Sequence, residues 1–184
     1  MALTLANLRL RTALREQAIR DPLTGLFNRR YLEETLEREL QNAIRRNRPV
    51  SVLMLDLDYF KRCNDEFGHD GGDLLLRSIG EFLRSHTRAE DISCRYGGEE
   101  FVVVMPEATA DDAFQRAEQL REGIKQLKIK HRSRFLDPVT LSIGLACSAQ
   151  GLFEAPVLIR AADAAFYRAK HEGRDRVVLS EEGL

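Results

Sequence analysis

The sequence predicts the α+β class, with a mixed, mainly antiparallel central sheet and helices set on one face of it. Three observations lead there. Strand and helix signatures alternate along the chain, a tight hairpin interrupts them at Gly97-Gly98, and "VTLSIGLAC" places Val139, Leu141, Ile143, Leu145 and Cys147 on one side of a strand with small residues opposite.

Each element has its own signal. Leu3, Leu10, Leu14 and Ala18, with arginines between them, predict an amphipathic N-terminal helix that ends at Asp21-Pro22, because the residue before proline is driven out of helical geometry. Such a polar helix is either a linker from an upstream segment or a helix packed on the domain. After a turn at Pro22 to Gly25, Asn28 caps a helix with Leu32, Leu36, Leu40 and Ile44 facing inward, stopped by Asn47 and Pro49. "SVLMLDLD" (51–58) reads as a buried strand ending in acids. "HDGGDLLLRSIGEFL" gives a helix with Leu75, Ile79, Phe82 and Leu83 inward. Short strands at 93–96 and 101–105 form the hairpin. Thr109 and Asp112 resemble a capping box, opening a helix that buries Ala113, Ala117, Leu120, Ile124 and Leu127. Lys128 to Asp137 is a polar loop. A last helix carries Leu158, Ile159, Ala162, Phe166 and Ala169 and is closed by Gly173, and Val177 to Leu179 forms a final strand.

The bulk numbers narrow the function. The chain has 184 residues, 43% hydrophobic and 31% charged, which suits one soluble domain able to bury its own core. A net charge of −1 gives no reason to expect long nucleic acids or an acidic membrane surface as partners. Cys63, Cys94 and Cys147 are scattered and odd in number, as free thiols in a reducing compartment would be. Arginines interrupt the first twenty residues and no stretch reaches spanning length, so a cytoplasmic chain without a targeting or membrane segment is expected. The expected organisation is an N-terminal linker or signalling helix at 1–20, a domain at 21–180 and a tail at 181–184.

The chemistry lies in acids beside glycines. "LMLDLD" delivers Asp56 at the end of a buried strand, and "RYGGEEF" (95–101) puts Glu99 and Glu100 at the hairpin. If the hairpin lies beside that strand, carboxylates converge, and they repel unless a cation or proton sits among them. Magnesium fits: it takes one or two protein carboxylates and completes its shell with water and phosphate oxygens. Gly97 and Gly98 would supply positive φ in the turn and let a phosphate or base come close. Between the two acidic sites, Lys61 can meet a phosphate, and Asn64 with Asp73 can read the donor edge that guanine has and adenine lacks. Lys170 and Arg174, at the end of the last helix, would add positive charge for a triphosphate. Taken singly, each has a plainer reading: Asp58 as a helix cap, Asn64 as a turn former, Asp73 as a first-turn acid, Lys170 and Arg174 as cations suited to the helix dipole.

Together, "DPLTGLFNRR" (21–30), "DLDYFKRCNDEFGHDGGD" (56–73), "RYGGEEF" (95–101), "LSIGLA" (141–146) and "ADAAFYRAKHEGRDRV" (162–177) resemble, in order and spacing, the GGDEF domain of diguanylate cyclases. The resemblance runs from Asp21 to Val177. It implies a sheet with surrounding helices, like the palm of adenylyl cyclases and some polymerases, and the condensation of two GTP into cyclic di-GMP with release of two pyrophosphates. It implies Asp56, the Leu57 carbonyl and Glu99 as ligands of Mg²⁺, for which Mn²⁺ can substitute. Glu100 would be a further metal or catalytic carboxylate. Asn64 and Asp73 would be guanine readers. Lys61, Lys170, Arg174 and the backbones of Tyr59 and Phe60 would be phosphate contacts, with Gly98 also lining the substrate. "RAED" would make Arg88 and Asp91 an inhibitory site for the product, joined by Arg116 or Arg121. A homodimer would be needed for catalysis, and an upstream sensory or receiver domain would be absent from this chain, whose full-length parent could be membrane-tethered. Glu99 replaces the aspartate of the family name and keeps its charge. Two other functions compete, a non-catalytic receptor for GTP or cyclic di-GMP and a cyclase of another nucleotide. The intact turn carboxylates argue against the first, and the Asn64–Asp73 pair against the second.

Overall fold

The structure is a computed structural model, and it describes residues 16–148 and 154–181. Most of the N-terminal helix expected at 1–20 lies outside the described residues; its last turn, 16–19, is helical. In chain order the elements are β1 (Phe27–Asn28), α1 (Arg29–Arg46), β2 (Val50–Leu57), α2 (Phe60–His86), β3 (Ile92–Arg95), β4 (Glu100–Pro106), α3 (Ala110–Lys125), β5 (Lys130–His131), β6 (Arg134–Phe135), β7 (Leu141–Cys147), α4 (Ala155–His171) and β8 (Arg176–Leu179). Asn28 caps α1 by accepting from the Tyr31 amide, and Thr109 with Asp112 closes a full capping box on α3.

Six strands form one sheet in the order β1-β3-β4-β2-β7-β8. The central pairs β3–β4, β4–β2 and β2–β7 are antiparallel, and the outer pairs β1–β3 and β7–β8 are parallel. A mixed, mainly antiparallel sheet was expected; helical cover on one face was not what formed. Leu53, Leu55, Phe101, Val103 and Ile143 pack with α2 and α3, while Val52, Met54, Val102, Val104 and Ala146 pack with α1 and α4. The reason is visible in β2, whose residues 50–55 are all buried. Side chains alternate across a strand, so an unbroken buried run must be covered on both faces.

Four local expectations change. The helix expected over 69–83 starts earlier: α2 begins at Phe60 and is broken once, at Gly68, where φ is 73 and ψ is 173. The loop from Lys128 to Asp137 contains the small β5–β6 hairpin. Phe27–Asn28 adds an edge strand too short to read from periodicity. Ile44 is 50% exposed, because the stripe of α1 passes instead through Thr35 and Ala43. The three cysteines are free, and burial drives the Cys94 thiol up to about 12.

Candidate active site

The strand order puts the two acidic segments side by side. Asp56 lies directly opposite Glu100 in the β2–β4 ladder and opposite Ser142 on β7. The Leu57 amide donates to the Glu99 carbonyl at 3.4 Å, so the turn abuts the end of β2. Asp56 is the first polar residue of the face that carries Val50, Val52 and Met54, and α4 covers that face. Burial pushes the Asp56 carboxyl up to about 6, and the charges of Glu99 and Glu100 add to the rise against the opposing pull of Lys170. A lysine stands against the strand end: Lys170 Nζ is 2.5 Å from Asp56 Oδ1 and 3.0 Å from Asp58 Oδ1.

Asp58 is not a helix cap. Its side chain is fully buried, and besides Lys170 it accepts from Ser142 Oγ at 2.7 Å, Thr140 Oγ1 at 2.7 Å and the Asp175 amide at 3.2 Å. Burial would raise its carboxyl, but Ser142, Thr140 and Lys170 outweigh that and hold it below the ordinary range. The N-cap of α2 is instead Tyr59, at φ 59 and with no side-chain cap. The first amides of α2, at Phe60 and Lys61, therefore begin a helix whose N-terminal donors have no carbonyl inside it to meet. Lys61 itself is exposed and makes no ion pair among the described residues.

Gly97 and Gly98 do not adopt positive φ; among the described glycines only Gly25, Gly68 and Gly173 do. Space explains them better. A Cβ on Gly97 would meet Glu100 Oε2 at 2.5 Å, whereas Gly98 has nothing within 4 Å and stands open to an incoming group. Arg95 secures the turn: its guanidinium donates to the Gly98 carbonyl at 2.8 and 3.1 Å and reaches the Asp21 carboxylate at 3.3 Å. Nothing in the isolated sequence singled out Arg95.

The break at Gly68 folds the chain so that Asn64 reaches Gly72, the residue before Asp73. In a continuous helix, residues 64 and 72 would be more than two turns apart. Here Asn64 Oδ1 lies 2.0 Å from where a Cβ of Gly72 would stand, next to Asp73. Asp73 is otherwise held only loosely, 3.9 Å from Arg77.

Arg174 stacks its guanidinium 5.0 Å over the exposed Tyr59 ring, so both flank the start of α2. The turn that carries Arg174 has three consecutive positive φ values, 117, 62 and 47 at Gly173, Arg174 and Asp175. Asp175 is clamped by Arg121 and Lys125, each at 2.6 Å. Distance in sequence hid this clamp, since α3 and the turn meet only after the sheet has formed.

Arg88 and Asp91 sit away from this cluster, past the end of α2. The Arg88 amide donates to Asp91 Oδ2 at 2.8 Å. Both line a cavity of about 540 Å³ with Arg46, Arg48, Glu90 and Glu107. Of the two further arginines considered, Arg116 is the one whose charge reaches Asp91, and its guanidinium lies 3.5 Å from the His86 carbonyl. Arg121 is committed to Glu118, Glu122 and Asp175.

Residues 18–176 match the family described as the GGDEF domain of diguanylate cyclases, and the chain belongs to that family. It is 43% identical over 165 residues to the response regulator PleD of Caulobacter vibrioides, covering 89% of this chain and 36% of that protein. It is 39% identical over 164 residues to the diguanylate cyclase DosC of Escherichia coli K12, covering 89% and 35%. Among solved structures it superposes on the GGDEF domain of DgcB from Caulobacter crescentus in complex with c-di-GMP with a TM-score of 0.85 and 32% identity, covering 89% of this chain and 94% of that one. A DgcB structure with its coiled coil, also in complex with c-di-GMP, gives 0.87 and 30%, covering 97% and 96%. The chain spans about a third of the length of the first curated relatives it matches. No helix among the described residues is long and apolar enough to cross a membrane.

Proposed function

We propose that this chain is the catalytic domain of a diguanylate cyclase, condensing two GTP into cyclic di-GMP and two pyrophosphates. One observation carries this reading: Asp56 at the end of β2, with Glu99 and Glu100 at the turn into the adjacent β4, shares one sheet end with Lys170. Among the described residues no group of three or more His, Cys, Asp or Glu is gathered to hold a metal. Magnesium needs no such group, because it completes its shell with water and nucleotide phosphates. The donor chemistry fits it, since Asp56, Glu99 and Glu100 are hard oxygen donors whose charges act on one another at that sheet end. Asp56, Glu99 and the Leu57 carbonyl would hold Mg²⁺, with Mn²⁺ as a substitute. When bound, the ion neutralises the triphosphate and makes the attacking hydroxyl more acidic.

The chain's own residues do the rest. Asn64 and Asp73 accept from the guanine N1–H and N2–H₂ edge. The backbones of Tyr59 and Phe60 at the start of α2, with the Lys61 side chain, Lys170 and Arg174, bind phosphate oxygens, because an uncapped helix N-terminus favours an anion. Tyr59 positions Arg174 beside them, open Gly98 gives the nucleotide room, and Glu100 supplies a further carboxylate to the reacting end. Each domain orients one GTP, so two copies must face each other before either 3′-hydroxyl meets its neighbour's α-phosphate. The new ester bond forms there as pyrophosphate leaves, and the second, reciprocal step closes the ring. The catalyst is thus a homodimer, placed in the cytoplasm, with segment 1–20 leading from an upstream sensory or receiver domain; the DgcB structure likewise contains a coiled coil and a GGDEF domain. Cyclic di-GMP inhibits at Arg88 and Asp91, with Arg116 as the further arginine.

The test is incubation of the purified protein with GTP and Mg²⁺, followed by chromatography. A dinucleotide with pyrophosphate is expected, and Glu99→Ala should abolish it. Unchanged GTP would mean a receptor, and a 3′,5′-cyclic mononucleotide would mean a different cyclase.

A further inference from the structure

Lys170 divides one positive charge between two carboxylates of unequal access. Asp56 stands at the strand end with its side chain 14% exposed, and among the described residues its carboxylate accepts a hydrogen bond from Lys170 alone. Asp58 is 0% exposed, and each of its oxygens serves two donors: Lys170 and Ser142 at Oδ1, Thr140 and the Asp175 amide at Oδ2. A divalent cation arriving from solvent can therefore take Asp56 and cannot take Asp58. It also cannot share Asp56 with an ammonium without repulsion.

We propose that Asp58 is a positioning residue for the reaction, keeping Lys170 in the site when the divalent cation displaces it from Asp56, so that the ammonium turns to the nucleotide's phosphates. Without that second carboxylate, Lys170 has only Asp56 to hold, and it competes with the cation. The inference rests on the nucleotide reading above. A structural role for Asp58 exists beside this one, since its Oδ2 also ties down the Asp175 amide in a turn of three positive φ values, two of them at non-glycine residues.

The probes are a non-reacting GTP analogue with a methylene bridge between the α- and β-phosphorus, and Mn²⁺ followed by electron paramagnetic resonance. Asp58→Asn should weaken binding of both about tenfold, the loss expected for a charged hydrogen-bond partner. In a Lys170→Met background the same substitution should change binding by less than about twofold, because the intermediary is gone. Equal binding by wild type and a folded Asp58→Asn chain overturns the inference. So does a tenfold loss that persists without Lys170, which would assign Asp58 to the turn alone. Should Asp58→Asn fail to fold, a crystal of the wild-type chain with analogue and Mn²⁺ decides: Lys170 Nζ must keep Asp58 and leave Asp56, and a lysine that has left both refutes it. A wild-type chain that binds no analogue overturns the cyclase reading as well, so the two failures are told apart.

Discussion

Gly72→Ala should separate stability from recognition. Gly72 lies inside α2 at helical φ, so alanine there gains about 0.5–1 kcal/mol of intrinsic helix preference. The added Cβ would stand 2.0 Å from Asn64 Oδ1, 3.0 Å from Asn64 Cγ and 3.2 Å from Phe60 Cζ. The first two atoms end a flexible side chain that can rotate away, and the ring needs to yield only a few tenths of an ångström. The fold should therefore stay within about 1 kcal/mol of wild type. Asn64, however, must leave its place over Gly72. Losing one hydrogen bond to the base and stranding its partner costs about 1.5–3 kcal/mol, or roughly ten- to a hundredfold in GTP affinity. Discrimination against ATP should shrink with it, since a site built to pair a polar edge rejects substrates lacking that edge. The assays are urea unfolding, equilibrium binding of a GTP analogue and the same titration with ATP. A stable variant that binds GTP as wild type does would refute the placement of Asn64 as a base reader.

Three other outcomes follow from the same structure. Gly144→Ala puts a Cβ 2.1 Å from the Ala162 carbonyl and 2.2 Å from the Phe166 amide, both backbone atoms of α4, so the helix must move; a loss of about 3 kcal/mol or more, read as a midpoint lowered by roughly 6–12 °C in a thermal melt, is expected, and an unchanged melt would contradict the packing. Burial would raise the Asp21 carboxyl, but Thr24 and Arg95 outweigh it and hold the group below its usual 3.8. Its stabilisation is therefore present above that value and is lost as pH falls through the lowered one; Asp21→Asn should lower urea stability near neutrality and matter progressively less in acid, and a difference independent of pH would sink this reading. Arg88→Ala and Arg116→Ala should each relieve slowing by added cyclic di-GMP while leaving the initial rate intact, whereas Arg121→Ala should lower stability by breaking its pairs with Glu118 and Asp175; product inhibition unchanged in both of the first two would remove the cavity beside Asp91 from consideration.

What the amino-acid sequence determined by itself was whatever is local or periodic. The buried strand expected at 51–58, the capping box at Thr109, the Asn28 cap and the strand through 141–147 are consequences of neighbouring residues, and each is present in the fold. The acids at the end of β2 and at the turn were legible for the same reason, because a charge closing a buried run and two glycines before two glutamates conflict with local rules. Tertiary structure decided everything that required distant segments to meet. It covered both faces of the sheet, turned 60–67 into helix by packing Phe60 and folding the chain at Gly68, and set Asn64 over Gly72. It gave Lys170 to Asp56 and Asp58 across more than a hundred residues, and Asp175 to Arg121 and Lys125. Single-residue propensities carry no information about such pairs, whose energies exist only once the sheet has set the spacing between α3, α4 and the end of β2.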